Sequence, residues 1–371
     1  MAGYPGSDAE PRYSWETLQL FAGAVFERCG MKPADAALLA ETLAEADLRG
    51  CHSHGVLRVP EYAAKLRCGV DPRGTPRVVS ERAAAIVVDG GNSMGQIAST
   101  FAMRRAIERA KGHGVAVAAV RGSNHCGALA YYAMMALAHD MIGLATTNAL
   151  PTMAPWGGTD KVVGINPLAV ALPAGEEDPI VIDAAFSASS HGKLRVFHQK
   201  GLAIPEGWAF DATGRPTTDA ATALNGLLRP IGDYKGVNLA VVMGVLSATL
   251  SGASYGTDLG NMTDGPQAGR DGQFLMALDV AAFTGVDEFK HQVDRIVRQI
   301  RASRLAPGFD EVFSPGQLEA ATKRRYLLAG VPLNPNTVAD LNACAAAVGL
   351  ETPLYSLDEA PSPAAGSEGS R

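Results

Sequence analysis

A change in residue pattern near Pro76 constrains the fold of this chain more than any other feature. Before it, apolar residues recur at helical spacing, with Ser14 as the cap of a first helix and Pro33 in the first turn of a second. After it, short apolar runs typical of buried strands alternate with helix-like segments, and beyond about residue 287 the chain is helical again. The pattern predicts an α/β middle, and we expect the two helical ends to pack together as one discontinuous domain.

The middle of the chain supplies several strand and helix predictions. The expected strands are 84–89, 115–120, 142–147, 168–172, 180–183 and 274–279. The expected helices are 96–111, 128–138, 236–250, 287–303 and, near the end, 336–348. The stretches 1–11 and 359–371 are rich in Pro, Ser, Gly and Ala, which predicts disordered tails.

Composition excludes several classes of partner. The chain has 371 residues and a net charge of −6, without a basic stripe, so nucleic acid and anionic membranes are not expected partners. The N-terminus lacks a signal-peptide pattern, and no apolar run is long enough to span a membrane. The five cysteines are widely spaced and form no C-x-x-C pair, which favours reduced thiols and a cytoplasmic location.

The common nucleotide-binding motifs are absent from the sequence. No G-x-G-x-x-G follows a predicted strand, since Gly112-His-Gly114 precedes one, and there is no P-loop pattern. The best candidate for binding an anion is the turn 121–128, which leaves a strand and enters a helix and contains His125. The alternative interpretation is an ordinary strand-to-helix turn.

Other candidate site segments follow strand-like runs. The Gly- and Pro-rich loops 148–158 and 164–167 are typical of site walls. Asp183 ends an apolar strand, where it could contact a ligand or cap the next helix. Lys235 follows Tyr234 at the start of an apolar helix, from which it could reach a ribose or a phosphate.

Residues 47–62 are the strongest candidate for catalysis. If 54–62 is helical, His54, Arg58 and Tyr62 recur at i, i+4 and i+8, which places a proton donor, a cation and a phenol on one face. Pro60 suits only a first turn, so the helix could begin later. The alternative interpretation is an exposed polar helix start.

Two other chemistries would use residues of this stretch. His52-x-His54 could bind zinc, but no third ligand motif accompanies it, and positions i and i+2 of a helix point apart. A Ser-His-Asp hydrolase would need Ser53 to face His54; adjacent residues rarely do so, and there is no G-x-S-x-G elbow.

Taken together, an ordered set of motifs over about residues 14–350 resembles the type 2 malate/L-lactate dehydrogenase family, which includes Δ1-piperideine-2-carboxylate reductases. The motifs are Arg49-Gly50, Ser53-His-Gly-x-x-Arg58 with Tyr62, Ser123-Asn-His-x-Gly127, Pro155-x-Gly-Gly158, Gly164-x-Asn-Pro167, Asp183, Ile204-Pro-x-Gly-Trp208, Asp211-x-x-Gly214, Lys235-Gly236 and Pro315-Gly316.

The resemblance implies a fold and an assembly. Residues 76–287 would form a non-Rossmann NAD(P)-binding α/β domain with a mixed sheet, and 12–75 with 288–350 the discontinuous helical domain. The family's members are typically homodimers that bind NAD(H) or NADP(H), and this sequence leaves open which of the two is used.

The resemblance also implies residue roles. His54 would be the acid/base, supported by Ser53, and Arg58 would hold the substrate carboxylate. The further substrate-binding candidates are Arg49, Ile165, His191 and Gly192. The cofactor-binding candidates are His125, Cys126, Gly127, Asp183, Ala184, Ala185, Tyr234, Lys235, Ser314, Pro315 and Gly316. Tyr62 is left between pocket and core, and no metal is expected.

The predicted function is interconversion of a small 2-hydroxy acid and its 2-oxo acid. Ile165 stands where the family usually has threonine, which predicts a more apolar pocket, and Lys193 stands where imine-reducing relatives place an acid. Lys193 therefore favours a C=O substrate over a cyclic imine such as Δ1-piperideine- or Δ1-pyrroline-2-carboxylate, which is the alternative. A metal-dependent hydrolase and a non-catalytic ligand-binding relative are the other hypotheses.

Overall fold

The computed structural model describes residues 9–261, 265–351 and 353–358, and it divides into two compact units. The first unit comprises residues up to Ala64 together with those from Ala321 onward, and the second is Lys65–Ala320. Of the predicted disordered tails, residues 1–8 and 359–371 lie outside the described residues. The division into a helical domain of 12–75 with 288–350 and an NAD(P)-binding domain of 76–287 stays a prediction.

The helices and strands have the following bounds. The helices are α1 (Trp15–Arg28), α2 (Pro33–Leu48), α3 (Val59–Arg67), α4 (Gly95–His113), α5 (Ala130–Met135), α6 (His191–Gln199), α7 (Ala220–Asn225), α8 (Tyr234–Gly244), α9 (Val286–Arg301), α10 (Gln317–Ala329) and α11 (Pro335–Ala347). The strands are β1 (Arg12–Tyr13), β2 (Arg77–Arg82), β3 (Ala85–Asp89), β4 (Val115–Ser123), β5 (Met141–Thr147), β6 (Pro151–Met153), β7 (Val163–Gly164), β8 (Leu168–Leu172), β9 (Ile180–Ala184), β10 (Ala209–Phe210), β11 (Pro216–Thr217), β12 (Leu227–Leu228), β13 (Gly260–Asn261), β14 (Gly265–Pro266), β15 (Asp271–Asp279) and β16 (Val331–Pro332).

In the first unit, α1 and α2 begin where their capping residues predict. Ser14 Oγ accepts a hydrogen bond from the Thr17 amide, and Pro33 lies in the first turn of α2. The two helices pack against each other through buried apolar side chains such as Phe26 and Leu43. The two-residue strand β1 pairs antiparallel with β16, so the chain before α1 is joined to the chain after α10 by backbone hydrogen bonds.

The second unit is built on a seven-stranded mixed sheet in the order β2-β3-β4-β15-β5-β8-β9. Strands β3 and β4 are parallel and are connected by α4, whereas the other neighbours are antiparallel. The central strand β15 arrives from late in the sequence and separates β4 from β5. The mixed α/β sheet predicted for this part of the chain is therefore confirmed.

Two apolar clusters fill the second unit. One lies under α4 and α5 against the sheet and includes Met103, Val120 and Leu275. The other lies among α6, α7, α8 and the small β10–β12 sheet, with Leu194 and Phe186 buried in it. The second cluster includes Phe186, which lies two residues after β9, in a stretch that also contains predicted site residues.

Most predicted elements are present, with differences that have local causes. The strand β2 was not predicted, because it lies at the sheet edge and nearly all of its side chains are exposed, which removes the apolar alternation. The predicted helix 128–138 shortens to α5 plus a 3₁₀ turn that ends at Asp140, whose φ is +55°. The predicted helix 236–250 becomes α8 followed by a π-helical segment, Val245–Thr249.

Across the described ranges, none of the helices has the length and apolarity that crossing a bilayer requires.

Asp271 begins the central strand as a buried carboxyl group. It is 5% exposed, and its Oδ2 atom lies buried without a hydrogen-bond partner among the described residues. Burial raises the pKa of Asp271 from 3.8 to about 7, and the positive charge of Lys65 opposes this shift only in part. The folded state therefore keeps a proton on Asp271 at pH values where the unfolded chain has released it.

Replacing Asp271 by asparagine should stabilise the protein above neutral pH. Because the pKa of Asp271 is raised on folding to about 7, wild-type stability falls as pH rises from about 4 to about 7, and the cost remains above that. We expect the Tm advantage of Asp271→Asn to grow over this pH range by about 1 °C or more, which for a chain of this length corresponds to about 1 kcal/mol. Asp310→Asn, at an exposed position, is the control. An equal Tm difference at pH 4.5 and pH 8 would contradict the assignment.

Candidate active site

The backbone of residues 52–62 differs from the predicted continuous helix. Two single 3₁₀ turns, His52–His54 and Val56–Arg58, precede α3, and the prediction of one helix from His54 to Tyr62 is wrong. Gly55 separates the turns in an extended conformation, with φ −89° and ψ −155°. Pro60 lies in the first turn of α3, where its missing N–H costs nothing, so the alternative of a later helix start is confirmed.

His54 is held by its neighbours in sequence. Ser53 Oγ lies 2.9 Å from His54 Nδ1, so the expectation that these adjacent side chains would not face each other is wrong. Arg58 Nε donates to the Ser53 carbonyl oxygen at 2.8 Å. The turn geometry, and not helical spacing, therefore brings Ser53, His54 and Arg58 together.

The electrostatics of the stretch keep His54 neutral. Burial lowers the pKa of His54 from 6.5 to about 4, the positive charge of Arg58 lowers it further, and Glu61 opposes the shift. Arg58 Nη1 forms an ion pair with Glu61 Oε2 at 2.5 Å. At neutral pH His54 is a proton acceptor beside a guanidinium group.

Asp47 contacts two residues of the stretch through its buried carboxylate. The residue is 1% exposed; its Oδ1 lies 2.7 Å from His52 Nδ1, and its Oδ2 accepts from the Val56 amide at 2.7 Å. Sequence reasoning included Asp47 in the stretch but gave it no role. It also missed Glu61, although the i, i+3 spacing from Arg58 is the signal that could have found it.

The other candidates of the first unit are Tyr62, Arg49 and His52. Tyr62 is 0% exposed, so it belongs to the packed core of the unit. Arg49 follows the last residue of α2 and is half-buried. His52 is engaged by Asp47, and no group of three or more His, Cys, Asp or Glu in the described part of the chain is arranged to hold a metal.

In the second unit, the predicted cofactor residues are connected through β9 and the four residues after it, which we call the 180–188 segment. Asp183 Oδ2 accepts from the Ala130 amide at 2.8 Å. Asp183 is exposed and caps α5, the helix that the His125 turn enters, whereas the helix that follows it in sequence, α6, is capped by Ser190. The interpretation that Asp183 caps the next helix is therefore wrong, because its carboxylate binds the first amide of the earlier helix α5.

The loop 314–316 lies along the edge of the same segment. The Val181 amide donates to the Pro315 carbonyl at 3.1 Å. Gly316 has a φ of +86°, and a Cβ there would lie 2.8 Å from the Val181 oxygen, so only glycine fits. Ser314 is buried, and its amide and hydroxyl both donate to Gln317 Oε1.

The far end of the segment contacts the loop before α8. The Ala188 amide donates to the Arg229 carbonyl at 2.7 Å, and the Ile231 amide donates to the Phe186 carbonyl at 3.0 Å. This pairing places Tyr234 and Lys235, both exposed, in the first turn of α8. Ala184 and Ala185 are half-buried between these contacts.

The predicted substrate residues of the second unit flank the same segment. The Ile165 carbonyl accepts from the Phe186 amide at 3.1 Å. Its neighbour Asn166, which was not assigned a role, is buried and joins the Ala149 amide to the Ala240 carbonyl. His191 and Gly192 form the first turn of α6; burial lowers the pKa of His191 to about 4, and the charges of Lys161 and Arg195 contribute.

The turn at His125 rests on buried polar groups. Asn124 Nδ2 donates to the Ser93 carbonyl at 2.8 Å, and Gln273 Nε2 donates to the Asn124 carbonyl at 3.3 Å. The Gly127 amide donates to His125 Nδ1 at 3.3 Å, and Gly127 has a φ of +73°. Cys126 is buried, and burial raises the pKa of its thiol to about 12, so it is not a nucleophile.

These features fit the binding of a dinucleotide by a chain that lacks the glycine-rich fingerprint. Glycine backbone at 127 and 316, the Asp183 carboxylate and the exposed Lys235 ammonium group all belong to elements tied to the 180–188 segment or to α5. Such groups suit a ligand that carries phosphates and riboses.

Comparisons with known proteins agree with this chemistry. A family model described as malate/L-lactate dehydrogenase matches residues 13–342. The L-sulfolactate dehydrogenase of Methanocaldococcus jannaschii is 38% identical over 302 residues, which cover 81% of this chain and 87% of that protein. A solved structure of sulfolactate dehydrogenase from the same organism has a TM-score of 0.85 at 36% identity and covers 91% of this chain and 98% of that one.

Two further relatives differ in the reaction that their names describe. The ureidoglycolate dehydrogenase (NAD(+)) of Escherichia coli strain K12 is 32% identical over 324 residues, 87% of this chain and 92% of that protein. The Δ1-pyrroline-2-carboxylate/Δ1-piperideine-2-carboxylate reductase of Pseudomonas putida is 35% identical over 253 residues, 68% of this chain and 74% of that protein.

Proposed function

The chain belongs to the malate/L-lactate dehydrogenase family and is an oxidoreductase, and from this premise we propose that it interconverts a small 2-hydroxy acid and its 2-oxo acid. The observation that carries the proposal is the arrangement of Ser53, His54 and Arg58, which supplies a proton acceptor next to a carboxylate-binding cation. Its relatives indicate a nicotinamide cofactor, which would supply the hydride-accepting group for oxidation of the carbon that bears the hydroxyl group.

His54 acts as the acid/base. In the oxidation direction the hydroxyl proton must leave as the hydride departs, and a neutral imidazole is required to take it. The low pKa of His54, about 4, provides that form at neutral pH. When Ser53 Oγ accepts from Nδ1–H, the imidazole is in the tautomer whose Nε2 atom carries the lone pair that can take the proton of the substrate hydroxyl.

Arg58 binds the substrate carboxylate. A guanidinium group can hold both oxygens of a carboxylate and so fixes the orientation of the neighbouring carbon. The charge of Arg58 is partly balanced by Glu61. A carboxylate bound there also adds negative charge near His54, which raises the pKa of His54 toward the range needed to donate a proton in the reduction direction.

The cofactor would be held by the residues grouped around the 180–188 segment. We assign its phosphates and riboses to the His125–Gly127 turn, Asp183–Ala185, Tyr234–Lys235 and Ser314–Gly316. Arg49, Ile165, His191 and Gly192 are the further candidates for contacts with the substrate, and the apolar side chain of Ile165 favours an apolar contact.

The second candidate reaction is reduction of a cyclic imine such as Δ1-piperideine- or Δ1-pyrroline-2-carboxylate. The match to the Pseudomonas putida reductase favours it. Lys193 opposes it, because this exposed lysine, 5.9 Å from the Trp208 ring, stands at the position where we expect an acid in imine reductases. A panel of 2-oxo acids and cyclic imines, each assayed with NADH and with NADPH at the nicotinamide absorbance, separates the two reactions and identifies the cofactor.

We also propose that the chain forms a homodimer through the outer face of α8. Leu239 and Val242 on α8, Val245 at the start of the π-helical segment and Leu250 directly after that segment are exposed by 44% to 57%. A row of large exposed apolar side chains is typical of a surface covered in an oligomer. A cytoplasmic location, expected from the cysteine pattern, stays a prediction.

Replacing His54 by alanine should lower kcat/KM at least about 100-fold, because general acid–base catalysis is typically worth about 10² to 10⁴. Cofactor affinity, measured by nicotinamide fluorescence, should stay within about twofold of wild type because the candidate cofactor residues lie elsewhere in the chain. His291→Ala, at an exposed histidine of α9, is the control and should keep full activity. Unchanged turnover in His54→Ala would rule out this mechanism.

Replacing Arg58 by glutamine should raise KM at least about tenfold, since the carboxylate loses its charged partner. The pH profile should change as well. The charge of Arg58 contributes to the lowered pKa of His54, so without it the pKa rises and the acidic limb of kcat/KM for oxidation moves to higher pH. Arg28→Gln on α1 is the control, and an acidic limb that stays in place would argue against the assignment.

Replacing Val242 by glutamate should dissociate the homodimer, because a charge would then be buried in an apolar contact. Sedimentation velocity should show a dimer for wild type and a monomer for Val242→Glu. Leu20→Glu places the same charge at an exposed position of α1 and should leave the dimer intact. A wild-type monomer, or a dimeric Val242→Glu variant, would refute this surface.

A further inference from the structure

The buried carboxylate of Asp47 contacts the residue before and the residue after the segment that contains His54, and we call this pair of contacts the Asp47 bracket. Asp47 lies in the last turn of α2, is 1% exposed and uses both of its oxygens. Oδ1 lies 2.7 Å from His52 Nδ1, and Oδ2 accepts from the Val56 amide at 2.7 Å. These two partners stand directly before and directly after the tripeptide Ser53-His54-Gly55.

The tripeptide approaches Asp47 so closely that no side chain fits at Gly55. A Cβ at Gly55 would lie 2.0 Å from Asp47 Oδ1 and 2.2 Å from Oδ2. The backbone at Gly55 is therefore pressed against the carboxylate, which fixes where the first 3₁₀ turn ends and the second begins. Isolated 3₁₀ turns are weak, so the two short turns depend for this geometry on the contacts with Asp47, together with the hydrogen bond from Arg58 to the Ser53 carbonyl.

The contacts among Ser53, His54 and Arg58 depend on the Asp47 bracket. Arg58 comes from the second turn and donates to the carbonyl of Ser53 in the first, and Ser53 Oγ meets His54 within the first turn. If the two turns move apart, the distance between Arg58 and His54 changes. We propose that Asp47 is the positioning residue of this site, and that it sets the distance between His54 and Arg58 by holding one residue on each side of the tripeptide. The proposal rests on the function proposed above.

His52, the partner of Asp47 before the tripeptide, has a raised pKa and is therefore charged in slightly acidic solution. Burial lowers the pKa of His52, but the hydrogen bond and negative charge of Asp47, together with the charge of Glu10, outweigh burial and raise it above 6.5. The ring of Tyr326 lies 5.9 Å from that of His52 and closes the other side. His52 is thus an anchor for Asp47 and not a ligand or a second acid/base.

The decisive measurement is the pKa of His54 in the ligand-free protein, followed by NMR of ¹³C-labelled histidine and assigned with His54→Ala. Among the charged groups that act on His54, Arg58 lowers its pKa and Glu61 raises it. In Asp47→Ala both anchors are lost and Arg58 is released, so we expect the pKa of His54 to rise by at least about one unit. We expect kcat to fall at least about 30-fold with cofactor affinity within about twofold of wild type.

Two variants keep the proposal testable if Asp47→Ala does not fold. In Asp47→Asn the amide oxygen still accepts from Val56 and the NH₂ group can donate to neutral His52, so kcat should recover to within about fivefold of wild type. His52→Ala removes one anchor only and should raise the pKa of His54 by less than Asp47→Ala does. Asp35→Ala, in the first turn of the same helix, should match wild type in both readouts.

The outcomes separate this inference from the proposed reaction. A purely structural role for Asp47 would lower the folded fraction without moving the pKa of His54, and that result would overturn the inference. A loss in Asp47→Asn as large as in Asp47→Ala would also overturn it. If His54→Ala keeps wild-type turnover, the proposed function fails, and the NMR titration still reports whether Asp47 positions the ring.

Discussion

The arrangement of the candidate catalytic stretch depends on the burial of one carboxylate. Asp47 is removed from water at the end of α2, and a buried carboxylate is tolerated only when its oxygens are satisfied. The groups that satisfy it are His52 and the Val56 amide, so the chain must fold over the carboxylate between them. The energetic need to pair Asp47 thereby becomes a geometric constraint on His54, whose own Nδ1 atom lies 2.9 Å from Ser53 Oγ.

A second constraint organises the other unit. The 180–188 segment forms the last strand of the mixed sheet and then continues as a chain of backbone contacts to 165, 229–231 and 315. Asp183 extends these contacts to the first turn of α5. A Rossmann fold concentrates its phosphate contacts in one glycine-rich turn. Here the candidate cofactor contacts are distributed over four separate chain segments, which explains why no compact fingerprint exists in the sequence.

Charge and burial assign different chemistry to the histidines of the two units. His54 and His191 both have a pKa lowered to about 4, in each case first by burial and then by neighbouring cations. His52 has a raised pKa because a carboxylate contacts it. Residue type alone therefore could not distinguish the proton acceptor from the structural anchor two positions before it. The distinction comes from which partner each ring meets in the folded chain.

The sequence by itself determined the α/β middle, six of the seven strands of the mixed sheet and most of the helices, because capping and apolar periodicity are local properties. Motif order, which is also local, singled out Ser53, His54 and Arg58 as candidates. The later start of α3 also follows from Pro60 alone. The tertiary structure decided the rest. That Ser53 faces His54, that Asp47 brackets them, that Tyr62 is core and that Asp183 caps α5 all depend on contacts between residues whose spacing follows no helical or strand period. Burial and long-range pairing set these contacts, and neither is readable from a local pattern.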